Sequence, residues 1–459
     1  MKLLRSLLEE LEDLLLALQS TRNVTGNKRM PNRRKKKKQL VLKIQMFIEK
    51  VLSRLIADPS LVMHTAINLP FLNLLSSNAE NTPEGPPWDI KSVLQTGKDK
   101  TKKTLSMTTS ITIPSACDFH LHLRQDEMMR MVTPKVQEGG VSLAYIMPNL
   151  QPPIKTTAEA LAYKAELEAL APNVTFYMTL YLSPELTPEE VRKAAKAGIA
   201  GVKSYPRGVT TNSESGIENY EVYYPVFKAM EEEGLVLNLH GEIPSDAEKD
   251  ICVMNAEERF LPQLEKIHRA FPKLKIVLEH ATTKAAVDMV KSLGDTVGCS
   301  ITVHHLQLIV DDWAGQAHHF CKPVAKYPHD RDALRDIVKS GHPRFFLGTD
   351  SAPHPIAAKE GPKSNAGVFT TPLVLPYLAK IFEEIGCLDK LENFACHYGR
   401  QFYGLSHKQG FEDKKVTLVK ESNTVVPAKF EISSTEDLGV VVPFYANKDI
   451  GWKITSNFY

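Results

Sequence analysis

At 459 residues, with 43% hydrophobic and 24% charged side chains, the chain has the size and composition of a globular protein of one large domain or several smaller ones. This argues against a disordered or collagenous chain, and no run approaches the roughly 18 consecutive apolar residues of a membrane span. Formal net charge is +2, yet the first 106 residues carry 19 Lys+Arg against 10 Asp+Glu and the rest 37 against 44. A basic piece therefore precedes a mildly acidic one.

In chain order, Leu3–Leu18 shows leucines at helical spacing and predicts an amphipathic helix. Glu9, Glu10, Glu12 and Asp13 interrupt it, which argues against a signal peptide or mitochondrial presequence. Asn32–Lys38 is a basic block, read as a solvated linker in preference to a nuclear-targeting or nucleic-acid patch, so no nucleic-acid partner is expected. Residues 76–106 are polar and bear Pro and Gly, as in a flexible linker. Residues 1–106 thus read as a separate, partly disordered extension, helical in part. Whether it binds a partner or precedes a translation start at Met107 stays open.

From Met107 the pattern changes. Apolar segments at Asp118–His122, Val141–Met147, Val174–Leu182, Ile199–Tyr205, Leu235–His240, Lys275–His280, Val297–Val303 and Arg344–Asp350 predict eight strands. Between them Thr157–Leu170, Thr187–Ala197, Tyr223–Glu233, Ala256–Ala270, Thr283–Leu293 and Asp330–Ser340 predict helices. Eight such repeats suit an α/β fold of the (β/α)₈ TIM-barrel type over residues 107–405 better than a doubly wound sheet. Residues 406–459, richer in Val, Thr and Lys, predict a short β-rich tail packed on the barrel. The six cysteines form no Cys-x-x-Cys pair, which argues against a disulfide framework or zinc ribbon and points to a reducing, cytoplasmic compartment.

Polar residues fall at the strand C-terminal ends, the catalytic face of such barrels. His120 and His122 are two apart on one strand, so both can face the barrel axis and grip one metal ion; alone, a His-x-His pair is weak. Other apolar runs end in His240, His280 and Asp350, and burying these groups without partners is costly. Four imidazoles and a carboxylate suit zinc. Asp118 is a candidate acceptor for orienting a ligand ring. Lys203 ends a strand among these donors, where an ammonium is electrostatically wrong; reaction with carbon dioxide would make an anionic carbamate able to bridge two metals.

Taken together, DFHLHLR (118–124), MPNLQPP (147–153), GVKSYPRGVTTNS (201–213), LHGE (239–242), EHATT (279–283) and GTDSAPH (348–354) resemble the amidohydrolase superfamily, specifically its dihydroorotase branch, over about residues 111–405. The resemblance implies that His120 and His122 bind one Zn²⁺ and His240 and His280 a second. It implies N6-carboxylated Lys203 as the bridge and Asp350 as both ligand and general base and acid. Arg124, Asn149 and His354 would hold a substrate carboxylate, Ala366 and Gly367 would contact the ring, and Thr210 and Thr211 would close a flexible loop. The implied reaction is reversible cyclisation of N-carbamoyl-L-aspartate to L-dihydroorotate in pyrimidine synthesis. Because Met107 runs almost directly into the first barrel strand, with no preceding β-sandwich, the resemblance is to the compact type, commonly a homodimer. The competing expectations are a hydantoinase or dihydropyrimidinase, whose substrates lack the ring carboxylate that Arg124 would hold, and a non-catalytic barrel scaffold.

Overall fold

Eight parallel strands form the centre of the molecule. The computed structural model describes residues 109–405, 410, 413–432 and 439–458, all within the unit Met107–Tyr459. The expected helix Leu3–Leu18, basic block and linker lie outside the described residues. The chain starts with β1 (Ser110–Pro114) and enters the barrel through β2 (Ala116–Leu121), β3 (Val141–Ile146), β4 (Thr175–Tyr181) and β5 (Gly201–Ser204). It continues through β6 (Val236–His240), β7 (Ile276–Glu279), β8 (Val297–Ile301) and β9 (Phe345–Leu347). Neighbours pair in sequence order from β2 to β9, and a parallel bridge between Leu121 and Ser351 brings the two edges together. Helices α1 (Asp126–Glu138), α2 (Thr157–Leu170), α3 (Pro188–Lys196), α4 (Tyr224–Glu233), α5 (Ala256–Ala270), α6 (Lys284–Ser292) and α7 (Pro328–Ser340) alternate with the strands.

The expected (β/α)₈ fold is therefore present, with strand ends within a few residues of the sequence reading. Local chemistry explains the sharp boundaries. Thr156 caps α2 in a reciprocal box with Glu159, and Thr187 and Thr283 accept the N3 amides of α3 and α6. Near-continuous apolar strands are buried on both faces by the helices outside and the packed barrel interior.

The chain ends differ from expectation in one respect. The tail does form strands β10 (Lys415–Lys420), β11 (Phe430–Glu431), β12 (Val440–Val441) and β13 (Trp452–Ser456). However, β10 lies between β13 and the unforeseen β1, so the residues leading into the barrel belong to the same three-stranded antiparallel sheet as the tail. This long-range pairing leaves no local trace in a five-residue segment such as SITIP.

Opposite the catalytic face, the interior is plugged by aromatic rings. Phe119 stacks on Tyr403 with centroids 4.6 Å apart and meets Phe346 edge-on at 5.6 Å. Tyr145 packs 4.9 Å from Tyr403. Gly201 on β5 lets this layer fit, because a Cβ there would stand 2.2 Å from the Tyr145 hydroxyl and 2.5 Å from the Val236 carbonyl oxygen. Gly201→Ala is accordingly expected to lower unfolding free energy by about 1–3 kcal/mol through overpacking. Chemical denaturation checks this, and an unchanged midpoint would show that the layer can yield.

Candidate active site

The strand ends bring the expected donors together. His120 and His122 come from β2 and the residue after it, Lys203 from β5, His240 from the end of β6, His280 from the residue after β7, and Asp350 from just beyond β9. All six are buried. The His120 and His122 rings are 5.5 Å apart, His120 and His280 4.9 Å, and His240 and His280 4.7 Å. Donor atoms of His120, His122 and Asp350 lie within 4.8 Å of one another; Asp350 Oδ1 is 3.1 Å from His122 Nε2 and 3.5 Å from His120 Nε2.

Two features of this ring are incomplete as protein chemistry. Neither Lys203 Nζ nor His280 Nδ1 has a hydrogen-bond partner among the described residues. Buried polar groups are ordinarily partnered, so these orphans fit a metal-binding role. Burial pushes the Lys203 ammonium down to about 8 against the opposing pull of Glu279 and Asp350, leaving an appreciable fraction of free amine near neutral pH. Burial also keeps His120, His122, His240 and His280 neutral, the form in which an imidazole ligates. Burial opposes ionisation of Asp350, while the His122 hydrogen bond favours it, and the carboxyl is held well below its ordinary range.

The backbone is strained at the same points. His280 and Asp350 occupy the left-handed region, with φ of 42° and 46°. Such conformations cost on the order of 1–3 kcal/mol for residues with side chains. Each is pinned: the His280 amide donates to Ser300 Oγ at 2.8 Å, and the Asp350 amide to the His120 carbonyl at 2.7 Å.

The residues orienting the rings were not those expected. Asp118 orients no ring; its carboxylate accepts from the Thr349 amide at 2.8 Å, the Thr349 hydroxyl at 2.6 Å and the His120 amide at 3.1 Å, tying β2 to the end of β9. Glu279 takes the ring, its Oε2 accepting from His120 Nδ1 at 2.7 Å and from Ser300 Oγ, while Asn238 Nδ2 donates to its Oε1 at 2.6 Å. Asn238 in turn accepts from the Tyr145 hydroxyl at 2.8 Å and bonds the Tyr403 hydroxyl at 2.8 Å. The aromatic plug thus anchors a chain of hydrogen bonds ending on His120. His240 is held likewise by Glu242, 2.8 Å from its Nε2. Both glutamates stand near strand-end histidines in the sequence, Glu279 one residue before His280 and Glu242 two residues after His240, and that adjacency was the available signal.

Around the ring, a small cavity is lined by His120, His122, Arg124, Asn149, Tyr205, Thr210, Thr211, His240, His280, Lys322, Asp350, Ala352, Ala366 and Gly367. Arg124, Asn149, Thr210, Thr211, Ala366 and Gly367 therefore all reach it as expected. Lys203 and His354 are not in the lining. His354 stands behind Arg124, its Nε2 3.1 Å from Arg124 Nη2 and 3.0 Å from the Ala366 carbonyl oxygen, and burial drives it down to about 2, so it is neutral. Burial lowers Arg124 only to about 10, so it remains cationic. The Thr210–Thr211 loop is drawn over the cavity: Asn149 Nδ2 donates to the Thr211 carbonyl at 3.2 Å, and Lys322 Nζ, which the sequence reading missed, donates to the Val209 carbonyl at 2.9 Å. A wider cavity of about 830 Å³ opens beside this loop.

An eight-stranded barrel with imidazole, lysine and carboxylate donors at its catalytic mouth defines the amidohydrolase class, and the amidohydrolase family pattern matches residues 111–412. The chain is 53% identical to the dihydroorotase of Mycosarcoma maydis over 386 residues, 75% of this chain and 98% of that protein. It is 51% identical to the probable dihydroorotase of Schizosaccharomyces pombe over 343 residues, 75% and 98% respectively. It also superposes with a TM-score of 0.72 and 44% identity on the crystal structure of Saccharomyces cerevisiae dihydroorotase in complex with 5-fluoroorotic acid, covering 75% of this chain and 98% of that one. The chain belongs to the amidohydrolase family and, within it, to the dihydroorotases. That family is one of hydrolases acting on a cyclic amide, generally with metal.

Because Glu279 fixes both the tautomer and the direction of His120, Glu279→Ala should weaken metal binding about 10- to 100-fold. Competition with a chelator reads this directly; an unchanged dissociation constant would show that His120 is held by packing alone.

Proposed function

We propose that the chain interconverts N-carbamoyl-L-aspartate and L-dihydroorotate as a two-zinc enzyme. The observation that carries the reading is the unpartnered, fully buried Lys203 Nζ set among four neutral imidazoles and the Asp350 carboxylate. In this reading His120, His122 and Asp350 would hold one zinc ion, His240 and His280 would hold the other, and Lys203, carboxylated at Nζ, would be shared between them. When bound, the ions supply Lewis acidity that brings the pKa of water near neutrality and polarises a carbonyl.

The chain's own groups do the rest. Asp350, ionised at neutral pH, takes the proton from the attacking water and returns it to the departing amide nitrogen in ring opening; the reverse sequence closes the ring. Arg124 presents a cationic fork to the substrate carboxylate, with His354 fixing the guanidinium from behind, and Asn149 lines the same wall, its amide nitrogen within reach of the carboxylate once released from the Thr211 carbonyl. Thr210 and Thr211 cover the ring and exclude bulk water. Ala366 and Gly367 form the opposite wall, where backbone groups meet the ring. The relative crystallised with 5-fluoroorotic acid, a ring acid of the same kind, supports a carboxylate-bearing cyclic substrate.

The proposal places the enzyme in the cytoplasm as a homodimer, and treats residues 1–106 and 406–459 as additions to a barrel of residues 107–405. Among the described residues no helix is long and apolar enough to cross a membrane.

Three substitutions test these roles. Lys203→Ala should remove at least one metal ion per chain and abolish turnover of L-dihydroorotate; an active variant with its full metal complement rejects the bridge. Arg124→Ala should raise KM about 10- to 100-fold, the worth of a charge-assisted hydrogen bond, while metal content stays intact. An unaltered KM places the carboxylate elsewhere. Asp350→Asn should suppress kcat at every accessible pH, since the native carboxyl is already ionised throughout that range, and a kcat left unchanged would assign the base to another group. Dihydrouracil, which lacks the carboxylate, is expected to be a poor substrate throughout.

A further inference from the structure

Beyond the strand-end ring, a second set of metal-competent side chains converges behind β8. The chain leaves β8 at Ile301 and turns, with the His305 amide donating to Thr302 Oγ1 at 2.9 Å, so that His304 and His305 follow one another into the interior. Cys321 arrives from the segment after the single turn Ala317–His319. All three residues are buried, at 0%, 1% and 2% exposure, and one donor atom of each lies within 4.8 Å of the others. Cys321 Sγ is 3.4 Å from His305 Nε2, and the Pro323 carbonyl oxygen is 3.0 Å from that nitrogen and 3.2 Å from the sulfur. The Sγ–Nε2 separation is that of neighbouring ligands around a tetrahedral ion whose bonds are roughly 2.0–2.3 Å, and the two shorter contacts to Pro323 are hydrogen-bond distances.

Hydrogen bonding alone accounts for part of this arrangement. His305 and Cys321 can each donate to Pro323, or the thiol can donate to the ring. His304 is not accounted for: neither of its ring nitrogens has a partner among the described residues, although its ring centroid is 4.4 Å from that of His305 and no surface is exposed. A fully desolvated imidazole with both nitrogens idle is rare in a folded interior, and the described residues provide neither an acceptor for its N–H nor a donor for its lone pair.

We propose that His304, His305 and Cys321 form a metal site separate from the strand-end ring, taking a borderline cation of the zinc class with Cys321 as thiolate and the Pro323 carbonyl as a fourth donor within reach. Binding transfers the thiol proton to solvent, so one proton leaves per ion bound. Burial pushes the Cys321 thiol up, and Asp350 and Glu242 add to this against the opposing pull of Lys359 and Lys326, so the thiolate would form only as the ion binds. Burial keeps the His304 imidazole neutral, lowering it to about 4, and so leaves a lone pair for the metal. An ion here would fix the residue before Lys322, whose ammonium holds the Val209 end of the loop carrying Thr210 and Thr211. Its expected role is to hold that lid-bearing segment in place.

The sulfur donor makes the site separable from the strand-end ring, which offers only nitrogen and oxygen. In the full-length Cys252→Ser protein, which lacks the exposed thiol, titration with Co²⁺ should produce a near-ultraviolet thiolate-to-cobalt charge-transfer band. Cobalt in the strand-end ring gives no such band. Cys321→Ser in the same background should abolish the band, and His304→Ala should raise the Co²⁺ concentration at half-saturation at least about tenfold. Absence of the band at saturating Co²⁺ overturns the proposal on the parent protein alone, whatever the variants do. A band that survives Cys321→Ser in a protein with unaltered circular dichroism overturns it equally.

Discussion

The structure turns on the desolvation of ionisable groups at one end of the barrel. Four imidazoles, an amine and the carboxylates of Asp350, Glu279 and Glu242 are buried there, and each must find a partner or change its charge. Glu279 meets part of this demand through His120, Ser300 and Asn238, and Glu242 meets another part through His240. Lys203 Nζ and His280 Nδ1 are left over. A barrel mouth that organises its donors so thoroughly and still leaves these two unpartnered is shaped for something besides protein.

The orientation of those donors is set from below. Tyr145 and Tyr403 hold Asn238, Asn238 holds Glu279, and Glu279 holds His120. Gly201 permits the close approach on which this column depends. Packing at the non-catalytic end and chemistry at the catalytic end are therefore parts of one network, and a change in the aromatic layer should be felt at the metal ligands. On the other side, Asp118 ties the start of the barrel to its end through Thr349, which is a closure role and not a ligand-orienting one.

Much of this was legible in the sequence because parallel barrel strands are buried on both faces and read as apolar runs, so a histidine or aspartate at the end of one is conspicuous. His120, His122, His240, His280 and Asp350 stood out for that reason, and the structure gathers them. Lys203 was suspect because its charge is wrong for its surroundings. What could not be read were the contacts made by residues distant in sequence. Asn238 looks like an ordinary strand residue until β6 and β7 are laid side by side. The pairing of β1 with β10 joins segments some 300 positions apart, and Lys322 meets Val209 only through the folding of two loops. Register and loop closure are properties of the assembled barrel, and local spacing carries no record of them.

The central claim is that the buried donors flank Lys203 in order to hold a pair of metal ions. Anomalous diffraction at the zinc absorption edge, on crystals grown with zinc and bicarbonate, tests it most directly. The account predicts two peaks at the barrel mouth, one beside His120, His122 and Asp350 and the other beside His240 and His280, with density for a carboxylate continuing from Lys203 Nζ. A bare lysine amine with one peak or none at that mouth would contradict it.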